Sequence, residues 1–199
     1  APRDMVDFSD KRVAVIGTGA TGVQLISAIA EKVRTLTVFQ RRPNWCAPLN
    51  NTPISPEKMD DIKGRYDKIF EQCYSTPSGF YHDVDPRRTL DVPPEERDAF
   101  WEELYKGSGF GVWLGNFKDM LVDQEANDEF SKFVAKKIRG RVNDPEIAEK
   151  LIPKDHGFGT RRVPMETRYY EVYNQDNVSL IDISAEPIER ITPAGIRTS

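Results

Sequence analysis

Several things are scarce in this sequence, and each scarcity removes a class of protein. Cysteine occurs twice in 199 residues, at Cys46 and Cys73, with no CxxC spacing, which argues against a disulfide framework or a thiolate zinc site. Histidine also occurs only twice, at His82 and His156, too far apart to suggest a metal site, so no metal is expected. Long apolar runs are missing: Val13 to Ile16 is typical of the longest, far short of a bilayer span. The first residues lack the apolar core of a secretory signal. An excess of one charge is missing too, since the formal net charge is −4, which argues against a general nucleic-acid or membrane-surface binder. The expectation is a cytoplasmic protein with neither of those partners. Any anion site must come from local placement of Arg and Lys.

What is present is an α/β pattern. Val13-Ala14-Val15-Ile16 is a short apolar run, as expected of a strand buried on both faces of a parallel sheet. Gly17-Thr18-Gly19-Ala20-Thr21-Gly22 follows directly, and Val23, Ile26, Ile29 or Ala30, and Val33 then recur at helical spacing. Thr35 to Phe39, β-branched and aromatic, reads as a second strand, completing one βαβ unit. From about Ser55 to Ile152 the pattern is helical. Ser55-Pro56-Glu57, Pro93-Pro94-Glu95 and Asp144-Pro145-Glu146 are helix starts, with Met59 to Cys73 reading as one helix. Beyond it, Met165 to Asn174 reads as a short helix, Val178 to Ile181 as a strand, and Thr192-Pro193-Ala194-Gly195 as the turn of a hairpin. The predicted architecture is a Rossmann-like dinucleotide-binding domain in two parts, 1–54 and 153–199, with a helical insertion, 55–152, and a terminal β-hairpin.

The glycine motif carries the first chemical expectation. Gly17 permits a tight turn from strand to helix, Gly19 lets a pyrophosphate approach the backbone, and Gly22 permits close helix–strand packing. Such a motif alone is weak evidence; the strand before it and the helix after it strengthen it. Gly107-Ser108-Gly109-Phe110-Gly111 is also glycine-rich, but a helix precedes it, so it reads as a connector. At the end of the second strand, where NAD sites place an acid, stand Gln40-Arg41-Arg42. A carboxylate there would repel the 2′-phosphate of NADP(H), whereas Arg41 offers it a planar donor fork. The alternative is two solvated loop arginines. Phe158-Gly159-Thr160-Arg161-Arg162 is a second basic segment, which spacing alone does not assign to any reaction.

These segments taken together resemble the Baeyer–Villiger monooxygenases, the group of cyclohexanone, phenylacetone and steroid monooxygenases. The likeness rests on Val15 to Gln24, Val38 to Pro43, Leu151 to Lys154, Phe158 to Arg162, Tyr169-Tyr170-Glu171 with Asn174, Asn177-Val178, and Thr192 to Ser199. It implies that NADPH reduces a bound FAD, and that the reduced flavin then uses O₂ to turn a ketone into an ester or lactone. It further implies cofactor contacts from Gly17, Thr18, Gly19, Ala20, Thr21, Gly22, Gln24, Gln40, Arg41 and Arg42. Arg162 takes the role of the arginine that stabilises the negative intermediate. Arg161 stands where the family usually has a Lys beside the 2′-phosphate, which keeps the charge and changes the donor geometry. The family's earlier glycine motif for FAD, its His- and Trp-containing fingerprint and a later Ala-Thr-Gly segment are not in this sequence. The expectation is therefore an excised NADP(H) domain, inactive without its FAD domain. Rival readings are a flavin-containing or N-hydroxylating monooxygenase, a stand-alone dehydrogenase, and a non-catalytic NADP-binding module. The dehydrogenase reading is poor, because no Tyr has a Lys four residues on.

Overall fold

The structure, a computed structural model, describes residues 7–199, so the first six residues of the expected segment 1–54 lie outside the described residues. The elements in chain order are β1 (Arg12–Ile16), α1 (Ala20–Ile29), β2 (Thr35–Gln40), β3 (Ala47–Pro48), α2 (Pro56–Gly64), α3 (Tyr66–Ser75), α4 (Pro94–Lys106), α5 (Gly111–Leu114), α6 (Gln124–Arg141), α7 (Pro145–Leu151), β4 (Met165–Glu166), β5 (Val178–Asp182), β6 (Ile188–Thr192) and β7 (Gly195–Thr198). The described residues divide into two compact units, one of 7–46 with 134–199 and the other of 47–133. These divisions fall earlier than residues 55 and 152: the second half of α6 and all of α7 belong with the α/β part. No helix among the described residues is long and apolar enough to cross a membrane.

The α/β unit is built on a parallel sheet in the order β1-β2-β5. Helix α1 lies on one face, where its residues Val23, Ile26 and Ile29 are buried at the spacing the sequence predicts. Leu36 and Val38 of β2 are completely buried. The opposite face is more open. β1 is not buried on both faces as expected: Ala14 is exposed and Ile16 is 57% exposed. No helix among the described residues lines the cavity on that side. The antiparallel hairpin β6–β7 stands over the face instead, with Arg12 Nη2 donating to the Ala194 carbonyl at 3.4 Å and that cavity, of about 470 Å³, between.

Between Met165 and Asn174 the structure has β4 and a 3₁₀ turn (Glu171–Asn174) rather than the expected helix. The cause is Arg141. Its guanidinium donates to Glu166 Oε1 at 2.8 Å and to Glu171 at 2.7 and 2.8 Å, and it stacks over the Tyr170 ring at 5.0 Å. Glu166 is drawn completely inside, where it also accepts the Tyr169 N–H at 2.8 Å, and Arg168 adopts a left-handed φ of 56°. A charge buried on these terms outweighs local helix propensity.

The second unit is helical around an aromatic core. Trp101 meets Phe130 at 5.2 Å and Phe133 at 5.5 Å between ring centroids, and its indole N–H donates to Asn116 Oδ1 at 3.0 Å. Ser55 caps α2 as its sequence predicts, accepting the Lys58 N–H at 3.2 Å. The single helix expected over Met59 to Cys73 is divided at Gly64–Arg65, and neither α2 nor α3 has a buried residue.

Two predictions follow from this packing. Arg141→Ala strands the Glu166 carboxylate inside and lowers stability by about 3–5 kcal/mol, read as the urea unfolding midpoint; an unchanged midpoint contradicts the role given to Arg141. A Cβ on Gly22 would lie 2.3 Å from the Gly17 carbonyl oxygen, whereas one on Gly19 meets nothing within 4 Å. Gly22→Ala is therefore expected to cost roughly 2–3 kcal/mol or more. Gly19→Ala stays within about 1 kcal/mol of the original chain.

Candidate functional site

The carboxyl ends of β1, β2 and β5 come together, the place where open parallel sheets take their ligands. Backbone bonds hold the three ends in step. Gly17 N–H donates to the Phe39 carbonyl at 2.9 Å, and Ile183 N–H donates to the Gln40 carbonyl at 2.8 Å. Thr18, buried, donates from Oγ1 to the Arg42 carbonyl at 3.0 Å, which ties the glycine turn to the loop after β2.

The three glycines of the motif have different reasons. Gly17 has φ of 96°, which an L side chain resists, and Gly22 sits against the Gly17 carbonyl. Gly19 has an ordinary φ of −75° and open space where a side chain would point. Nothing within the chain requires glycine there. It is also the N-cap of α1, whose first turn no side chain caps and no acid occupies. The turn thus presents a bare, positively polarised helix end, beside Ala20 and the exposed Thr21, with room directly against the backbone. These features fit a diphosphate.

Arg41 and Arg42 border the same region. Gly17, Thr18, Phe39, Arg41, Arg42 and Ile183 line a cleft of about 340 Å³. Arg41 and Arg42 also border a larger cavity of about 930 Å³, whose other wall comes from α7 and the chain after it, Lys150, Lys154 and Asp155 included. Arg41 is exposed, and its guanidinium has no ion pair or hydrogen bond among the described residues. Arg42 and Arg161 both face Asp155, with Oδ2 at 4.0 Å from Arg42 Nη1 and 3.2 Å from Arg161 Nη2. Arg162 is exposed and its guanidinium is unpaired among the described residues, while its carbonyl accepts from Asn44 Nδ2 at 3.1 Å. The loop carrying both arginines is shaped as its glycines suggest: Gly159 has φ of 79°, and Thr160 Oγ1 donates back to the Gly157 carbonyl at 2.8 Å.

Two expected contacts stand apart from this group. Gln40 is 1% exposed and turned inward, its Nε2 donating to the Lys150 carbonyl at 2.7 Å. Its role is to hold α7 against the end of β2, which leaves Arg41 as the first side chain open to the cleft. Gln24 is exposed on α1 and borders neither cavity. Sequence reasoning missed Asp155. An acid six residues before Arg161 has no local signature, and only the fold brings it to Arg42.

Two of the acids lining the larger cavity, Glu149 and Asp182, are held by neighbours in the chain. Glu149 accepts from Arg139 at 2.6 Å and Lys154 at 2.8 Å, which hold its carboxyl down at about 2. Asp182, at the end of β5, accepts the Ser184 N–H at 2.8 Å.

No protein-family model matches the chain. Over 194 residues it is 58% identical to the 2-oxo-Delta(3)-4,5,5-trimethylcyclopentenylacetyl-CoA monooxygenase of Pseudomonas putida, a match covering 98% of this chain and 36% of that protein. It is 43% identical over 195 residues to a Baeyer-Villiger monooxygenase of Pseudooceanicola batsensis, covering 96% of this chain and 35% of that one. The crystal structure of OTEMO in complex with FAD and NADP superposes with a TM-score of 0.95 at 58% identity, over 98% of this chain and 36% of that one. The chain thus spans about a third of the length of the relatives it matches. High identity and a shared fold over almost every residue place this chain in the Baeyer–Villiger monooxygenase family.

Proposed function

We propose that this chain is the NADP(H)-binding part of a flavin-dependent Baeyer–Villiger monooxygenase, which converts a ketone to an ester or lactone with NADPH and O₂. The observation that carries the reading is Gly19: a glycine that no φ and no internal contact requires, on an uncapped helix end, facing open space. A phosphate lying against the backbone accounts for it. In this reading the N–H groups at the start of α1, among Gly19, Ala20, Thr21 and Gly22, hold the diphosphate. Arg41, Arg42 and Arg161 receive the 2′-phosphate, since each can present a planar donor fork to its oxygens. Arg162, exposed and with no guanidinium partner among the described residues, is the cation for the negative charge that develops during oxygen transfer.

NADPH and FAD together supply the hydride and the oxygen-activating centre. Among the described residues β1–α1 is the one strand–turn–helix with a glycine motif, so FAD is assigned to the remaining part of the parent enzyme. The ketone is proposed to meet the flavin there, and this chain alone is not expected to turn it over. The scarcity of cysteine supports a cytoplasmic enzyme, and the net charge of −4 supports one without nucleic-acid or membrane-surface partners.

Titration with NADPH and NADH, followed by heat or by protein fluorescence, tests the nucleotide assignment. NADPH is expected to bind at least tenfold more tightly. Arg41→Ala should remove about tenfold of that affinity, a charge-assisted bond, without changing NADH binding. Equal affinity for the two nucleotides would contradict the assignment. In the full enzyme, Arg162→Ala should retain NADPH binding while ester formation falls by about two to three orders of magnitude; undiminished ester formation would remove Arg162 from the chemistry.

A further inference from the structure

Two arginines from distant parts of the chain share one carboxylate oxygen. Arg42 follows β2, Arg161 lies in the loop before β4, and Asp155 Oδ2 sits 4.0 Å from one guanidinium and 3.2 Å from the other. Both arginine side chains are largely in solvent, 64% and 44% exposed. Long, solvated and mutually repelling, they have no reason to converge without an anion between them.

The carboxylate is itself anchored. Its other oxygen, Oδ1, lies 2.7 Å from His156 Nδ1. The His156 side chain is only 6% exposed, and its Nε2 is buried with no hydrogen-bond partner among the described residues. The imidazole therefore has one polar partner, Asp155, and the tautomer with hydrogen on Nδ1 satisfies it. The backbone at this point is fixed as well, since Trp45 Nε1 donates to the His156 carbonyl at 2.9 Å. The bond from His156, and then Arg161, hold the Asp155 carboxyl below its usual range, so it stays charged at neutral pH.

We propose that Asp155, steadied by His156, is a positioning residue that gathers Arg42 and Arg161 at its carboxylate, beside the cavity that Arg42 and Asp155 line, so that both meet the same 2′-phosphate. The inference rests on the NADP(H) reading above. Asp155 does not touch the nucleotide in this account. It lowers the cost of ordering two flexible cations before the phosphate arrives, which is preorganisation rather than a new contact.

The opposite effect is physically possible, because a carboxylate beside a phosphate repels it and competes for its arginines. The two accounts differ in sign. If Asp155 positions, Asp155→Ala weakens NADPH binding about fivefold and leaves NADH binding unchanged. Asp155→Asn, which keeps the shape and loses the charge, behaves like Asp155→Ala. His156→Phe shifts NADPH affinity in the same direction by less, and His156→Gln, whose amide can donate to Asp155, restores it. The test is calorimetric titration of the protein and these variants with NADPH, NADH and 2′,5′-ADP. NADH affinity serves as the check that each variant is folded. Tighter or unchanged NADPH binding in Asp155→Ala overturns the proposal, and so does an equal loss of NADPH and NADH, which would mark a merely structural role. If the unsubstituted protein does not prefer NADPH to NADH, the underlying NADP(H) reading fails instead. If it does prefer NADPH and the variants match it, only the positioning role fails.

Discussion

No side chain fits between the first turn of α1 and the turn that follows β1. A single carbon on Gly22 would come within 2.3 Å of the Gly17 carbonyl oxygen, so helix and strand meet backbone to backbone. From that contact the rest of the site is placed in sequence. Gly17 is held to the end of β2 by its bond to the Phe39 carbonyl, and Thr18 reaches from the turn to the Arg42 carbonyl. Ile183 then ties β5 to Gln40. The helix end, the two arginines after β2 and the chain after β5 are thus parts of one hydrogen-bonded rim, and the direction in which each group faces follows from the close approach of α1.

Charge is handled in two ways within this unit. Arg141 is consumed internally: it is only 19% exposed and satisfies two glutamates, one of them fully buried. It fixes the stretch from Glu166 to Asn174 and takes no part in the rim. Arg41 and Arg42 at the rim are exposed, and among the described residues neither the Arg41 guanidinium nor that of Arg162, in the loop before β4, has an ion pair or hydrogen bond. A chain with a net charge of −4 can in this way present exposed arginines locally, and two of the acids near the rim, Glu149 and Asp182, are already engaged. The coexistence of internal and exposed arginines is not visible in composition, which counts both alike.

Features set by neighbours in sequence were legible in it. The β1–α1–β2 unit, the Ser55 and Asp144 caps and the final hairpin all depend on spacing, side-chain capping or turn chemistry within a few residues. The roles of Gly17 and Gly22 belong to the same class. Features set by distant partners were not legible. Met165 to Asn174 has helical composition, but Arg141 claims Glu166 from 25 positions away. Gln40 sits where a ribose-binding side chain is expected, yet its partner is the Lys150 carbonyl, 110 positions on. The exposure of Ala14 and Ile16 depends on which face α1 covers and on the hairpin standing over the other, which an apolar run cannot encode. Asp155 is the clearest example, since its place beside Arg42 exists only once α7 is docked on the end of β2.

The claim at the centre of this account is that the rim at the carboxyl ends of β1, β2 and β5 holds NADP(H). A crystal structure of the protein grown with NADP⁺ tests it most directly. The account predicts the diphosphate against the backbone of Gly17 to Gly22, with the 2′-phosphate within hydrogen-bond reach of Arg41, Arg42 and Arg161. A nucleotide bound elsewhere on the chain, or lying across this rim with its 2′-phosphate turned away from the arginines, would contradict it.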